Sequence, residues 1–518
     1  MLPSALFRTA SGLVVTAALS LLAGAPGASA LSAFDAQNLT RTGYIYTYPT
    51  MLTYRQMYAD IISRGPPYHF NQFFIQDKLP DAKSTARNAN VDFLTATAWL
   101  DTRDNPIVLT VPQPDKKNRY MSVQVTHLKG YETDYVGTRM SGMKGVSAFY
   151  YIQSPATKLK TDPGGMFKNI LYSDSDFTRV QARVGPITGP ADVAAAKELL
   201  AKFKVTPLPD FLLPQIGPDT TLTPKPTTPL PAFYKWNDSL LKGGDDLEWI
   251  NFLNWALPYV KIHKGNETKF IEDMAPLGVK AGQYVDFSEP TLFPPKILLA
   301  MQKGVKEGYD FMYDPANAAI FAGTDKLEEG YFDVLNYEQH AVCSVIGENG
   351  VFTPSAWETE AFAKDFPDAL PGDSYILKFD KNKIPGVNQE GAGFWSVTAY
   401  SLPGRTLVPN ALDRYSIQST DPNLKFNNDG SLEIFLQTDP PGQGKEGNWL
   451  PTPAAGPFSY VLRIYGPGGN AKPVSEWKTP LQPDAISPIA IRAASGGPAP
   501  MKDTDALPVQ PSKRALRV

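Results

Sequence analysis

A single cysteine in 518 residues, Cys343, excludes an intrachain disulfide and leaves no thiolate set for a structural zinc. Histidine is nearly as scarce. His69, His127, His263 and His340 are the only four, and no two stand at i, i+2 or i, i+4. A histidine-rich metal site or a Ser-His-Asp triad has little material here. Charged residues make up only 19 %, and a formal net charge of −3 gives no basic excess to attract nucleic acid. The G-x-S-x-G elbow, the P-loop, the dinucleotide-type glycine fingerprint and any haem motif are all missing. Gly372-Asp373-Ser374 has the letters of one esterase nucleophile block but stands mid-chain without its companions. Calcium needs only carboxylates and carbonyls, so it stays open as a ligand. Long apolar runs are also lacking: after Leu13–Ala23 nothing approaches the length of a membrane span.

What is present is proline (48), glycine (40) and tyrosine (24), a composition that suits a loop-rich soluble protein dominated by β-structure. The length allows two or three domains. Residues 1–30 read as a secretory signal: Arg8, the apolar run Leu13–Ala23, and Ala28-Ser29-Ala30 as a small-residue cleavage site before Leu31. The mature chain is expected to be exported, periplasmic or extracellular.

The final third is the most informative. Ser431–Thr438 alternates, with Leu432, Ile434 and Leu436 opposite Glu433, Phe435 and Gln437. Phe458–Tyr465 and the row Trp395, Val397, Ala399 repeat that period of two, the mark of strands with one buried face. Asn427-Asn428-Asp429-Gly430 supplies a tight turn. Such a succession predicts a sandwich or jelly roll. The second faces, with Glu433, Gln437, Arg463, Ser396 and Thr398, either line a polar ligand site or face water. Asn448-Trp449-Leu450-Pro451 is either a plug under the sheet end or an aromatic platform.

Earlier in the chain, Gly43–Tyr54 and Tyr68–Phe74 are aromatic stretches ahead of an extended β region. Ile107–Leu109 and Tyr120–Leu128 read as paired strands, and an antiparallel sandwich is expected from about Leu79 to Thr188. His127 shares the apolar face of Met121, Val123 and Val125, as a core residue or a ligand. A helix opens at Asp192, whose side chain can cap its first turn. Pro207–Pro231 reads as an extended connector. Further helices are predicted at 245–256, 268–274 and 296–309.

FWSVTAY, RYSI, NNDGSLEIFLQ, NWLP, GPF and LRIYGP, in that order, resemble the C-terminal domain of a paired family of domains of unknown function, DUF1254 followed by DUF1214. The first half is similar to the N-terminal member through its YPxxxxY stretch, Asn90-Val91-Asp92, Trp99-Leu100-Asp101, Arg119-Tyr120 and Gly137–Gly142. The resemblance implies an Ig-like N-terminal sandwich, a helical insertion and a C-terminal jelly roll, with no agreed activity. Phe93, Thr95 and His127 depart from the family pattern, which has hydroxyl-bearing, aromatic and acidic residues there.

The resulting expectation is a mainly β protein with a helical insert. It has a signal at 1–30, an N-terminal β-sandwich at 31–190 and a connector with helical insert at 191–324. A C-terminal jelly-roll domain at 325–480 and a disordered tail at 481–518 complete it. Acid–base chemistry by carboxylates is the enzymatic option, with Asp92, Asp101 and Glu433 as candidates. Asn90, Arg139, Arg183, Arg414, Asn448, Trp449 and Arg463 are the candidate ligand-binding residues. Together they point to a polar small molecule or saccharide held between the two β-domains. The alternative is a non-catalytic, envelope-associated interaction or structural protein. A homo-oligomer is compatible with either.

Overall fold

A computed structural model describes residues 31–139, 148–157, 167–216, 228–321, 336–345, 358–467 and 485–488. The signal-like segment 1–30 and most of the tail lie outside the described residues. Helix α1, Ala33–Met57, is the central element, and it falls where the sequence suggested aromatic lead-in to strands. The Ser32 hydroxyl caps it, accepting from the Asp35 backbone N–H at 3.0 Å. Tyr, Thr and Ile dominate its second half and Pro49 lies inside it, all poor helix formers. Burial overrides propensity: Gly43 to Tyr54 are all buried, so the helix is sheathed on every side. Its phenols find fixed acceptors: Tyr44 donates to the Leu240 carbonyl at 2.8 Å, Tyr48 to Leu241 at 2.9 Å and Tyr54 to Tyr234 at 2.6 Å.

Nine strands follow or surround the next segment: β1 (Phe74–Ile75), β2 (Leu94–Asp101), β3 (Ile107–Val111), β4 (Tyr120–His127), β5 (Glu132–Gly137), β6 (Ala148–Gln153), β7 (Asn169–Tyr172), β8 (Phe177–Gly185) and β9 (Lys204–Pro207). They form two sheets, β1-β2-β8-β4-β5 and β7-β6-β3-β9. Strands β3 and β4 therefore belong to different sheets rather than to the expected pair. The apolar alternates of both sheets meet in one core, with Leu94, Met121 and Val180 from the first and Leu109 and Ile152 from the second. Helix α2 (Pro190–Leu200) seals one edge of that core through Ala196, Leu199 and Leu200. It begins at Pro190 with Gly189 as its cap, so Asp192 is not the capping residue. Its carboxylate instead pairs with Lys117 and Arg119. The connector is not wholly extended either, because α3 spans Leu208–Ile216.

Helices α4 (Glu248–Ala256), α5 (Asn266–Asp273), α6 (Pro295–Tyr313), α7 (Pro315–Phe321) and α8 (Asn336–Val345) follow. All but α7 share with α1 one core that includes Tyr44, Trp249, Met274, Met301 and Ala341. The helical unit thus draws α1 from the segment assigned to the first β-domain and α8 from the segment assigned to the last. The reason is shape: a helix apolar on all sides must be wrapped by others.

The remaining strands are β10 (Thr359–Phe366), β11 (Tyr375–Phe379), β12 (Phe394–Ser401), β13 (Thr406–Leu407), β14 (Ser416–Gln418), β15 (Leu432–Gln437), β16 (Trp449–Pro451), β17 (Phe458–Tyr465) and β18 (Ala485–Pro488). One sheet runs β10-β17-β12-β13, with β14 also on β12; the other runs β16-β15-β11-β18. Leu432, Ile434 and Leu436 share a core with Trp395, Val397, Leu462 and Ile464, as the alternation predicted. The Asn427–Gly430 turn forms, with Gly430 at φ +84°, but it joins β14 and β15 in different sheets. Residues 485–488 pair with β11, so this part of the expected tail is a strand. The chain is thus a mixed protein of helices and several largely antiparallel sheets rather than mainly β.

Helices α1 and α6 approach closely because Gly304 faces α1: a Cβ there would lie 2.4 Å from the Gln37 carbonyl oxygen. Gly304→Ala should gain about 1 kcal/mol in helix propensity yet lose about 1–3 kcal/mol to the backbone clash. Chemical denaturation should show a net loss of stability. A variant more stable than the parent would mean that the two helices do not touch there.

Candidate functional site

Asp92 lies in the loop before β2 and reaches across to the second half of the chain. It is fully buried. One carboxylate oxygen accepts from Ser396 and from the Tyr465 phenol, each at 2.7 Å. The other accepts from Gln418 at 3.1 Å and Ser416 at 3.2 Å. Asn90 steadies the same loop, accepting from the Asp92 N–H and donating to Tyr465, both at 2.8 Å. Arg463 donates to the Asn88 carbonyl at 3.0 Å. Burial opposes its charge, but Tyr400, Tyr465 and Asp92 outweigh that and hold its pKa above the ordinary value. Tyr400 completes the grip by donating to the Ala89 carbonyl at 2.8 Å.

Beside this knot, Phe93, Tyr120, Phe394 and Tyr465 form a buried aromatic cluster, with Phe93 and Tyr465 centroids 4.5 Å apart. Arg139 and Glu358 close the end with a buried ion pair at 2.8 Å, and the Tyr120 phenol donates to the same carboxylate. Four of the residues singled out from sequence, Asn90, Asp92, Arg139 and Arg463, do converge. They converge as a filled seam among the described residues, not as a cleft between the β-sheets. Every oxygen of Asp92 is already bonded, so no lone pair is left to activate a water or hold a ligand.

The other sequence candidates are dispersed. Asp101 forms a two-point ion pair with Arg103, at 2.9 and 2.7 Å. Glu433 lies opposite Lys378 on β11. Arg414 donates to the Glu446, Gly447 and Trp449 carbonyls at 2.6, 3.1 and 3.0 Å. Asn448 bonds the Lys425 and Glu433 carbonyls, and the Trp449 indole donates to Gln437 at 2.8 Å. That loop is a plug nailed under the sheet end, not a platform. Arg183 stands on the polar face of the first sheet, held by Gln124 and Gln181. His127 is a core residue; neither ring nitrogen has a hydrogen-bond partner, and burial, aided by Lys129, pushes its pKa down to about 3. Among the described residues no three His, Cys, Asp or Glu side chains assemble as metal ligands.

Sequence reasoning missed Asp176. Burial, reinforced by Asp101 and opposed by a hydrogen bond from Ser154, pushes its carboxyl up to about 6. It also missed an open cleft of about 940 Å³ along α1. Tyr48, Leu52, Arg55, Gln56 and Ala59 form one wall, spaced by three, four or one as a helix face requires. Trp236, Asp238, Leu241, Lys242, Tyr313 and Arg87 also line the cleft. Three cations thus face one carboxylate, and the Trp236 indole already donates to that carboxylate at 2.8 Å. Tyr48 is kept protonated by burial and by Tyr313, and its one proton is given to the Leu241 carbonyl. The placing of Arg87 in the cleft depends on the seam, because Asn88 and Ala89 are the residues Arg463 and Tyr400 grip.

Two outcomes follow from these environments. Asp92→Asn turns acceptors into donors opposite Ser396 and Tyr465 or Ser416 and Gln418, and should cost about 2–3 kcal/mol in chemical denaturation; an unchanged midpoint would remove Asp92 from its fastening role. For Asp176 the folded-state pKa is raised, so its contribution is complete below about pH 4 and is lost as pH rises through about 6. The stability of Asp176→Asn relative to the parent should therefore rise between pH 4 and 7, by up to about 3 kcal/mol, and a flat difference across that range would contradict the assignment.

The comparisons with known proteins agree with the architecture. Residues 70–207 match DUF1254 and residues 365–469 match DUF1214, each described as a protein of unknown function. The fold is similar to the crystal structure of the VPA0106 protein from Vibrio parahaemolyticus. That likeness has a TM-score of 0.63 at 19 % identity, covering 88 % of this chain and 98 % of that one. An uncharacterized protein from Burkholderia cenocepacia matches with a TM-score of 0.40 at 12 % identity, over 84 % of this chain and 92 % of that one. No curated protein matches the chain. The chain thus carries a DUF1254 domain followed by a DUF1214 domain, the pair and the order expected from its sequence.

Proposed function

We propose that this is an exported protein that binds a small, hydroxylated acid, a uronate or similar sugar acid, in the cleft along α1. The observation that carries the reading is the lining: Arg55, Arg87 and Lys242 against a single Asp238, flanked by Trp236, Tyr58 and Tyr313. Cations select the carboxylate, aromatic faces take the apolar side of a sugar ring, and Gln56 and the Tyr hydroxyls can read its hydroxyls. Its volume falls within the range of small-molecule sites. Binding is favoured over glycoside hydrolysis, because that reaction needs two carboxylates facing one bond. The cleft lining holds one, and Asp92, Asp101 and Glu433 are separately engaged. Export rests on the signal-like segment 1–30, and no described helix is long and apolar enough to cross a membrane. We read the two pairs of sheets, each pair sharing one apolar core, as an Ig-like sandwich and a jelly-roll-type sandwich.

Thermal-shift titration with sodium glucuronate and galacturonate, against glucose and sodium chloride, tests this directly. The uronates should raise the melting temperature and glucose should not. The Arg87→Ala/Lys242→Ala double variant should weaken uronate binding by about tenfold or more, as expected for loss of charge-assisted bonds. Equal shifts with glucose, or full retention in the double variant, would overturn it.

A further inference from the structure

Hydrogen-bond direction in the α1 cleft is fixed by groups that can only accept. A backbone carbonyl carries no proton, so in the bond between Tyr48 and Leu241, at 2.9 Å, the phenol must be the donor. The phenol oxygen of Tyr313 lies 3.1 Å from that of Tyr48. With the Tyr48 proton already engaged, the proton between these two oxygens is that of Tyr313. The chain of donors therefore runs one way, from Tyr313 to Tyr48 to the Leu241 carbonyl. What Tyr313 has left is lone pairs, on a residue that lines the cleft and is 46 % exposed.

Other neutral groups of the lining are spent in the same sense. Trp236 has one N–H, and Asp238 takes it at 2.8 Å. Gln56 turns its amide nitrogen to Asp60 at 2.7 Å, because a carboxylate can only accept, and its amide oxygen points the other way. Asp60 is itself fixed, since its second oxygen accepts from the Trp99 indole at 2.9 Å. Only Tyr58 and Ser63 keep hydroxyls that can turn either way. Donors to a ligand are thus mainly the cations, and the neutral lining offers acceptors.

Tyr313 is also the best oriented of these acceptors. Tyr309 stacks on its ring, with centroids 4.5 Å apart and planes at 28°. Tyr309 in turn lies against Gly243, where a Cβ would come within 2.2 Å of its ring. The ring of Tyr48 meets Tyr313 edge-on at 6.3 Å. An acceptor held on two sides before binding costs little to order when a ligand arrives.

We infer that Tyr313 is the specificity-determining residue of the α1 cleft, accepting a hydrogen bond from a ring hydroxyl of the acid whose carboxylate the cations hold. The cleft then selects a free hydroxyl at that position over an ether, a carbonyl or a fluorine, none of which brings a proton. Such a group would set lone pair against lone pair and leave both unmet. The inference rests on the cleft being the uronate site proposed above, and it adds which way the ligand's hydroxyl must point its proton.

The test is calorimetric titration of the full chain with glucuronate and with analogues in which fluorine replaces each ring hydroxyl in turn, keeping its size and removing its proton. At one position fluorine should weaken binding by the parent about five- to tenfold. In Tyr313→Phe glucuronate itself should weaken by a similar factor, and the fluorine penalty at that position should vanish. In Tyr48→Phe the Tyr313 proton is released and can turn to the ligand, so the same penalty should shrink although Tyr313 is still present; this variant carries the test should Tyr313→Phe fail to fold. Fluorine penalties that are the same in the parent and in both variants would overturn the inference and leave the cleft reading standing. A Tyr313→Phe protein that weakens glucuronate and every analogue by one common factor would also overturn it, since that is what a merely structural role gives. No glucuronate binding by the parent would overturn the cleft reading and the inference with it.

Discussion

The buried carboxylate of Asp92 is the constraint on which the arrangement of the protein depends. A charge without water must be met by donors on every lone pair that faces protein, or the fold loses several kcal/mol. Here the donors are two serines, a glutamine and a tyrosine from β12, β14 and β17, all supplied by a part of the chain more than 300 residues distant. No arginine is bonded to the carboxylate; Arg463 stands near and grips the backbone just upstream instead. Neutral donors at fixed positions are more demanding than a salt bridge, because each hydroxyl must point the right way. The two β-regions can therefore dock in one register only. The aromatic cluster and the Arg139–Glu358 pair fill what remains of the seam.

That docking has a consequence at the helical unit. The loop ending at Asp92 is held at Asn88, Ala89 and Asn90, and so delivers Arg87 to the lining of the α1 cleft. One wall is set by α1 itself, whose tyrosines bind the backbone carbonyls of Tyr234, Leu240 and Leu241 and thereby fix the segment carrying Trp236 and Lys242. Two sets of buried hydrogen bonds, one in the seam and one around α1, thus position groups from three regions of sequence around a single opening.

The strands of the last third were legible because period-two alternation survives burial of only one face, and Leu432, Ile434 and Leu436 lie where that alternation puts them. The other face was read as solvent or ligand wall, because Ser396, Thr398 and Arg463 look the same in sequence whether they meet water or the other half of the chain. Of the ten candidates only Asn90, Asp92, Arg139 and Arg463 come together, and residue type alone could not separate a fastening from a reaction centre. Helix α1 was missed for a different reason. Its tyrosines, threonines and Pro49 argue against helix locally, and only the surrounding helices reverse that preference. With α1 unread, the cleft had no wall on which to be predicted, although Tyr48, Leu52 and Arg55 already carry the helical spacing.

The central claim is that the seam is closed and that ligand enters along α1. Hydrogen exchange of the full chain with and without sodium glucuronate tests it at the level of individual segments. The account predicts slowed exchange in residues 48–63 and 236–242, with residues 394–401 and 458–465 unchanged. Protection confined to those two seam strands, with none along α1, would contradict it.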